Sequence, residues 1–485
     1  MMTASPPRFD RSHTDDLAGY LTASPTPYHA VAEAARRLEK AGFTQLRETD
    51  AWDATAGGRY VLRGGALIAW YVPEGCAPET PFRIVGAHTD SPNLRVKPLP
   101  DTGAHGWRQI AVEVYGGTLL NTWLDRDLGL AGRLTLRPGA TNAGAGTGGP
   151  GARPGAGPGA GSGPSAGAGA GVAGGTGGGE VRLVNVDRPL LRVPQLAIHL
   201  DRGVTADGLK LDKQRHMTPI WGLGNVREGD LVEFLAGEAG VAAADVIGWD
   251  LMVHSVEPPA YLGRDRELLA GPRMDNLLSV HAGVAALAAA TGGTAAHARR
   301  AMGEADTPPS AIPVLAAFDH EENGSQSDTG AEGPLLGNVL RRSVAARGGS
   351  YDDTARALAG SVCLSSDTGH AVHPNYPERH EPGHRPMPNA GPILKVNVNQ
   401  RYATDGTGRA LFATACERAG VPWQPFVSNN AMPCGTTIGP ITAARHGITT
   451  VDIGVAILSM HSARELCGAE DPHLLASALA AFLSE

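Results

Sequence analysis

The apolar run from Ile312 to Phe318 ends on Asp319-His320-Glu321-Glu322-Asn323-Gly324-Ser325, and this junction constrains the chain more than any other stretch. The run reads as a buried strand, so the acidic residues stand where a strand leaves a core. Successive side chains on a strand or its exit turn project to opposite sides. Adjacent Glu321 and Glu322 can therefore do different work, one binding a metal while the other takes a proton from water. An isolated pair of glutamates is usually solvated surface, so the rest of the chain has to supply the other ligands.

Taken in order, the chain changes texture twice. The stretch from Asp15 to Ala41 has helical spacing, broken at Ser24-Pro25-Thr26-Pro27 and ended by Gly42. Arg59–Arg63 and Ala66–Tyr71 flank Gly64-Gly65 as a predicted hairpin, and the strand Phe82–Gly86 delivers His88 and Asp90. After Pro98 come short strand-like pieces at Ile110–Tyr115, Arg133–Leu136, Val181–Val184, Leu196–Leu200 and Leu231–Leu235, with almost no helical periodicity. From Trp249 strands and helices alternate again: a helix opened by Asp275 (276–290), strands Val362–Leu364, Ile393–Val398 and Thr449–Gly454, and helices Gly408–Ala419 and Pro472–Leu483. Residues 291–310 and 341–356 read as polar interruptions.

A chain of 485 residues is long for a single core. The expected organisation is an α/β unit from 1–92 and 256–485, with a mixed sheet covered by helices on both faces, and an inserted β-rich unit from 93–255. Within the insertion, 139–179 is rich in Gly, Ala, Pro and Ser with Arg153 as its one charge. Such a composition predicts a disordered loop at the tip of a hairpin formed by its flanks.

Composition excludes several function classes. The net charge is −8, from 41 basic and 49 acidic residues, without a basic block to bind nucleic acid or a membrane surface. No apolar run reaches the ~18 residues of a membrane helix, and the N-terminus has no apolar signal core. The five cysteines are scattered without a C-x-x-C pair, which points to a reducing, cytoplasmic setting and away from a thiolate zinc site.

The polar residues that stand just past predicted strands are His88, Asp90, Asp275, Glu321, Glu322, Asp367 and His461. In an open α/β sheet such positions converge on one edge. Two imidazoles, several carboxylates and no thiolate suit a divalent metal, with zinc first and manganese or cobalt as alternatives. A two-metal site needs a bridging carboxylate with the cations about 3.5–4 Å apart, and a base beside the shared water. His88, Asp275, Glu322, Asp367 and His461 as ligands, with Glu321 as base, fit that inventory. Asp90, two residues after His88, is placed to accept the imidazole's other N–H. Residue types and spacing alone leave simpler readings open: His-x-Asp as a turn, and Asp275 as a helix N-cap.

Longer motifs narrow the choice. They are 87–98 (AHTDSPNLRVKP), 123–128 (WLDRDL), 196–200 (LAIHL), 273–276 (RMDN), 319–322 (DHEE), 366–376 (SDTGHAVHPNY), 433–440 (PCGTTIGP) and 460–465 (MHSARE). In this order and spacing the chain resembles the aspartyl aminopeptidases, a family of cytoplasmic dinuclear zinc metallopeptidases. The resemblance implies two Zn(2+) per subunit, one held by His88 and Asp367, the other by Glu322 and His461, with Asp275 bridging, Glu321 as general base and Asp90 behind His88. It implies removal of an N-terminal residue, preferably Asp or Glu, from peptides, with Lys395 and Tyr402 near the acidic side chain. Without the family, Lys395 reads as an ordinary strand lysine. The resemblance further implies a homo-oligomer, a tetrahedral dodecamer, in which the inserted domain pairs subunits and His199 reaches a neighbouring subunit's active site.

The sequence departs from that family in its Gly/Ala tract, at His216 where an acidic residue is expected, and at Asn429-Asn430-Ala431-Met432. None of these touches a proposed metal ligand. The competing readings are a related dizinc amidohydrolase, such as a deacylase or carboxypeptidase, and an inactive assembly scaffold.

Overall fold

Along the apolar run before Asp319, successive side chains enter two different cores. Leu315 and Ala317 pack on one side of a sheet, while Val314, Ala316 and Phe318 pack on the other. Because side chains alternate across a strand, an unbroken apolar run is what a sheet covered on both faces requires. The computed structural model describes residues 11–140, 179–291 and 310–484. It divides into two compact units: one comprises the chain up to Asn93, Val114–Leu124 and the chain from Glu257 onward, the other Leu94–Glu113 and Asp125–Val256.

The first unit is built on a nine-stranded mixed sheet. In chain order its strands are β1 (Thr44–Gln45), β2 (Gly57–Arg63), β3 (Ala66–Val72), β4 (Phe82–His88), β5 (Ile312–Phe318), β6 (Val362–Ser366), β7 (Ile393–Val396), β8 (Gln424–Val427) and β9 (Thr449–Gly454). Across the sheet they lie in the order β1-β2-β3-β5-β4-β6-β9-β7-β8. The four central strands β5, β4, β6 and β9 run parallel, so their carboxyl ends share one edge.

Helices α1 (Ser12–Ala23), α2 (Pro27–Lys40), α3 (Met274–Thr291), α6 (Gly406–Ala419) and α8 (Asp471–Leu483) contribute to one core. Helices α4 (Leu335–Ala346), α5 (Tyr351–Ala359) and α7 (Ile438–His446) contribute to the other. The break between α1 and α2 follows from local chemistry. Thr26 caps α2 by accepting the His29 N–H, and Pro27 takes the first helical position, where a missing N–H does no harm.

The second unit carries a six-stranded sheet. Its strands Leu128–Leu136 and Glu180–Leu191 pair antiparallel, with Leu136 opposite Glu180 and Gly132 opposite Val184, as the flanks of the Gly/Ala tract predict. Of the tract itself, 141–178 lies outside the described residues, and so do 292–309 of the first polar interruption.

Several sequence expectations are corrected. Leu231–Leu235 is not a strand but part of a helix, Asp230–Ala239, because buried Leu231 and Leu235 recur at helical spacing and Gly240 ends the helix in the left-handed conformation. Leu196–Leu200 is not a strand either; its residues are exposed and 198–200 form a turn. Residues 341–356 are not an interruption, since they span the end of α4 and most of α5. The arginines there stay exposed or half-buried while Leu336, Leu340, Val344 and Ala357 are buried, and Ser350 and Asp353 form a capping box at the start of α5. Val114–Leu124, expected inside the insertion, belongs with the first unit, where Tyr115 hydrogen-bonds Asp90 and the Leu119 N–H donates to the His461 carbonyl.

Since Leu136 and Glu180 already face each other, a short turn can join them. Replacing 141–178 by such a turn is expected to leave the thermal midpoint unchanged or raise it by about 2–4 °C, because the entropy lost in closing a connection grows with the number of residues in it. A clearly lower midpoint in calorimetry would contradict this.

Candidate metal centre

The parallel centre of the sheet sets down residues from distant parts of the sequence side by side. Phe318 is in register with His88, and Ser366 with Ile453. His88 closes β4, Glu321 and Glu322 sit in a 3-10 turn after β5, and Asp367 follows β6. Asp275 opens α3 across a kink, its peptide bond to Asn276 being cis. His461 stands after the short strand Ala456–Leu458 with φ of 65°. All six line one cavity of about 420 Å³, together with Lys395 and Tyr402.

Asp275 is at the centre of the group. Its Oδ1 lies 3.2 Å from His88 Nε2 and its Oδ2 lies 3.4 Å from His461 Nε2. His88 Nε2 also faces Asp367 Oδ1 at 3.6 Å and Glu321 Oε2 at 4.0 Å, while His461 Nε2 faces Glu322 Oε2 at 3.3 Å. Both rings are held from behind by backbone carbonyls. His88 Nδ1 is 3.0 Å from the Asp90 carbonyl, and His461 Nδ1 is 3.1 Å from that of Gly117. A carbonyl can only accept, so each Nδ1 carries the proton and each Nε2 is turned toward the carboxylates. Position 117 has to be glycine for this approach, since a Cβ there would meet His461 Nδ1 at 2.9 Å.

The electrostatics show what such a group lacks. Burial pushes the Glu321 carboxyl up to about 8, and burial with Asp275 alongside pushes Glu322 well above the carboxylate range. Against the opposing effect of burial, Asp275, Asp367 and Asp90 raise His88, and Asp275 raises His461 to about 9. Burial also opposes ionisation of Asp275, but His461 and His88 outweigh it and keep the carboxylate charged.

These residues fit a divalent cation. Among the described residues, Asp275 Oδ1 and Glu322 Oε1 are buried without a hydrogen-bond partner. One donor atom from each of His88, Asp275 and Glu322 lies within 4.8 Å of the other two. Imidazole nitrogens and carboxylate oxygens without a thiolate are a donor set for zinc.

Two supporting carboxylates do more than the sequence indicated. Asp90 accepts the Tyr115 hydroxyl at 2.6 Å and the backbone N–H groups of both Glu321 and Glu322 at 3.1 Å. Its carboxylate is 3.4 Å from His88 Nδ1, farther than its own carbonyl, so it orients the glutamates as much as the imidazole. Glu465, to which the sequence reading gave no role, accepts the N–H of Asp275 at 3.0 Å and of His461 at 2.8 Å. Its one sequence signal is its place four residues after His461.

Lys395 is fully buried on β7, its Nζ donating to the Thr368 carbonyl at 2.7 Å and standing 3.7 Å from Asp367 Oδ2. Its ammonium lies 5.4 Å from the centre of the Tyr402 ring. His199 belongs to the second unit, exposed on the turn beside Leu196, Ile198 and Leu200.

Comparison with known proteins places this arrangement. Residues 20–145 and 173–483 match the family described as aminopeptidase I zinc metalloprotease (M18). A probable M18 family aminopeptidase 2 of Streptomyces coelicolor is 70% identical over 481 residues, 99% of each chain. A chain in the cryo-EM structure of the Ape4 and Nbr1 complex superposes with a TM-score of 0.84 at 30% identity, covering 99% of this chain and 88% of that one. The S. cerevisiae mApe1 dodecamer superposes with a TM-score of 0.75 at 27% identity, covering 97% of this chain and 96% of its own.

Zinc binding by metal-free protein is expected to release protons near pH 7, because His461, raised to about 9, holds a proton there that ligation would displace. The sign follows: apparent affinity rises as pH increases from about 6 to 8. Calorimetric titrations in buffers of different ionisation enthalpy should give different heats, and heats independent of buffer would contradict the expectation.

Proposed function

The chain belongs to the M18 family of zinc metalloproteases and is an aminopeptidase, and from that premise we propose that it is a dinuclear zinc enzyme that removes N-terminal Asp or Glu from peptides. One observation carries the two-metal reading. The two oxygens of Asp275 face different imidazoles, Oδ1 toward His88 and Oδ2 toward His461, and each imidazole has a further carboxylate of its own, Asp367 and Glu322. That is the donor pattern of a bridging carboxylate between two sites, with His88 and Asp367 at one and His461 and Glu322 at the other.

His88, Asp367, Asp275, Glu322 and His461 would hold the zinc, which when bound would supply Lewis-acid polarisation of the peptide carbonyl and a more acidic water. Glu321 is assigned the proton: it accepts it from that water and returns it to the leaving amine as the peptide bond breaks. The Glu321 side chain is more open to the cavity than that of Glu322, 15% against 4% exposed, which suits a proton carrier and a ligand respectively. Asp90 sets the positions of both glutamates through their backbone N–H groups. Lys395 and Tyr402 are assigned to the carboxylate of the N-terminal side chain, a buried cation and a hydroxyl on the wall of the same cavity.

The second unit is assigned to pairing of subunits, and His199 to the active site of a neighbour. Exposed Leu196, Ile198 and Leu200 around His199 are apolar surface of the kind an interface covers. A homo-oligomer agrees with the dodecameric state of the S. cerevisiae relative. A cytoplasmic setting agrees with five free thiols among the described residues. No helix among the described residues is long and apolar enough to cross a membrane.

Zinc-loaded protein assayed on Asp-, Glu-, Leu- and Ala-anilides should cleave the first two at least about tenfold faster, and chelation should abolish both activities. Equal rates on Leu and Asp would overturn the acidic preference. Glu321→Gln should keep its zinc and lose about 10²–10⁴-fold in kcat; loss of zinc along with activity would mean the two glutamates have been exchanged. For His199, oligomers mixed from inactive His199→Ala and Glu321→Gln subunits should regain part of the activity. Demonstrably mixed oligomers without any recovery would argue against sharing between subunits.

A further inference from the structure

Beside the metal cavity lies a second one, of about 450 Å³, and the two share His370, Tyr402 and Gly435 in their walls. We propose that this second cavity is the subsite for a large apolar, above all aromatic, side chain on the second residue of the substrate. The inference rests on the acidic-aminopeptidase reading above, which places the first side chain at Lys395 and Tyr402.

The lining decides the chemistry. Tyr376, Phe426, Val427, Met432, Ile457 and Leu458 present rings, a thioether and aliphatic groups to the space. Phe426 meets both His370 and Tyr402 at ring-centre distances of 6.3 Å and steep interplanar angles of 66° and 60°. A further ring can join such a tilted set with its edge or face. Met432, a flexible and polarisable side chain, can adapt to what enters.

The histidines do not make the cavity cationic. The His373 N–H donates to His380 Nε2 at 3.0 Å, and the Asn375 N–H donates to His373 Nδ1 at 3.2 Å. A ring nitrogen that accepts from a backbone N–H carries no proton, so both imidazoles are neutral. Burial and Arg385 also hold His380 below its ordinary range. Arg379 is largely exposed and stands 3.7 Å from Glu378. An acidic side chain therefore finds here only an exposed cation already beside Glu378, whereas the metal cavity has the buried ammonium of Lys395.

Continuity assigns the occupant. A peptide whose first side chain is held at Lys395 and Tyr402 leaves the metal centre over the shared wall, and the next side chain is the one within reach of the second cavity. Asn429 and Met432, at the ends of the stretch where the sequence departs from the aspartyl aminopeptidase pattern, both line it.

The test uses the zinc-loaded full chain with Asp-Phe-Ala, Asp-Gly-Ala, Asp-Glu-Ala and Leu-Phe-Ala. The expected result is a kcat/KM for Asp-Phe-Ala about tenfold or more above the Gly and Glu peptides, carried by KM. Met432→Trp and, independently, Val427→Trp fill the cavity and should bring the Phe:Gly ratio toward one by raising KM for Asp-Phe-Ala. A wild-type Phe:Gly ratio within twofold, or a ratio unchanged in both variants, would overturn the assignment. Preference for Leu-Phe-Ala over every Asp peptide would also overturn it, by making the cavity the site of the first residue. Equal rates on Leu-Phe-Ala and Asp-Phe-Ala with the Phe:Gly ratio retained would support the subsite while refuting the acidic first-residue preference.

Discussion

The constraint on which the first unit turns is the gathering of negative charge where water is scarce. Asp90, Asp275, Asp367 and Glu465 are buried, and Glu321 and Glu322 stand among them. Each unpaired buried charge is unfavourable by several kcal/mol, so every one of these carboxylates needs a positive partner or a set of donors. They separate by how that need is met. Asp90 and Glu465 are satisfied by backbone N–H groups, and by a tyrosine hydroxyl for Asp90. Asp275 and Glu322 each keep a buried oxygen without a hydrogen bond among the described residues and face imidazole nitrogens. The first kind is satisfied by its own chain, and the second kind offers the oxygen donors that suit a divalent cation.

The carboxylates of the first kind also explain how residues far apart in sequence hold a common geometry. Asp90, just past β4, grips the turn after β5 by two backbone amides, so the exits of neighbouring strands cannot drift apart. Glu465 does the same for the start of α3 and the loop bearing His461. Close packing adds to the precision: a Cβ at Gly454 would overlap the Asp367 carbonyl oxygen, so the end of β9 and the residue after β6 are in direct contact.

Much of this was legible in the sequence because it rests on local patterns. The apolar runs gave the central strands, the Pro27 break gave the two N-terminal helices, and residues just past strand ends gave the polar side chains that meet in one cavity. What misled were segments whose burial is set by distant partners. Leu231 and Leu235 are two apolar residues that suit a short strand or a helix turn equally, and α4 and α5 hide their apolar face behind many arginines. Glu465 went without a role for another reason. A carboxylate that serves backbone amides from two segments has no periodicity of its own, and its place four residues after His461 does not say what it holds.

The pair at 321–322 shows how a small difference in local structure matters to the chemistry. On an extended exit, neighbouring side chains would diverge by about 180°, and one glutamate would point away from the cavity. The chain instead reverses at His320, which adopts φ of 64°, and 321–323 form a 3-10 turn in which successive side chains diverge by about 120°. Both glutamates therefore stay on the cavity wall while reaching different imidazoles, Glu321 toward His88 and Glu322 toward His461. A strand would have given one functional carboxylate at this position. The turn puts two on the cavity wall, because Asp90 holds both of its leading N–H groups and leaves the side chains free to face different imidazoles.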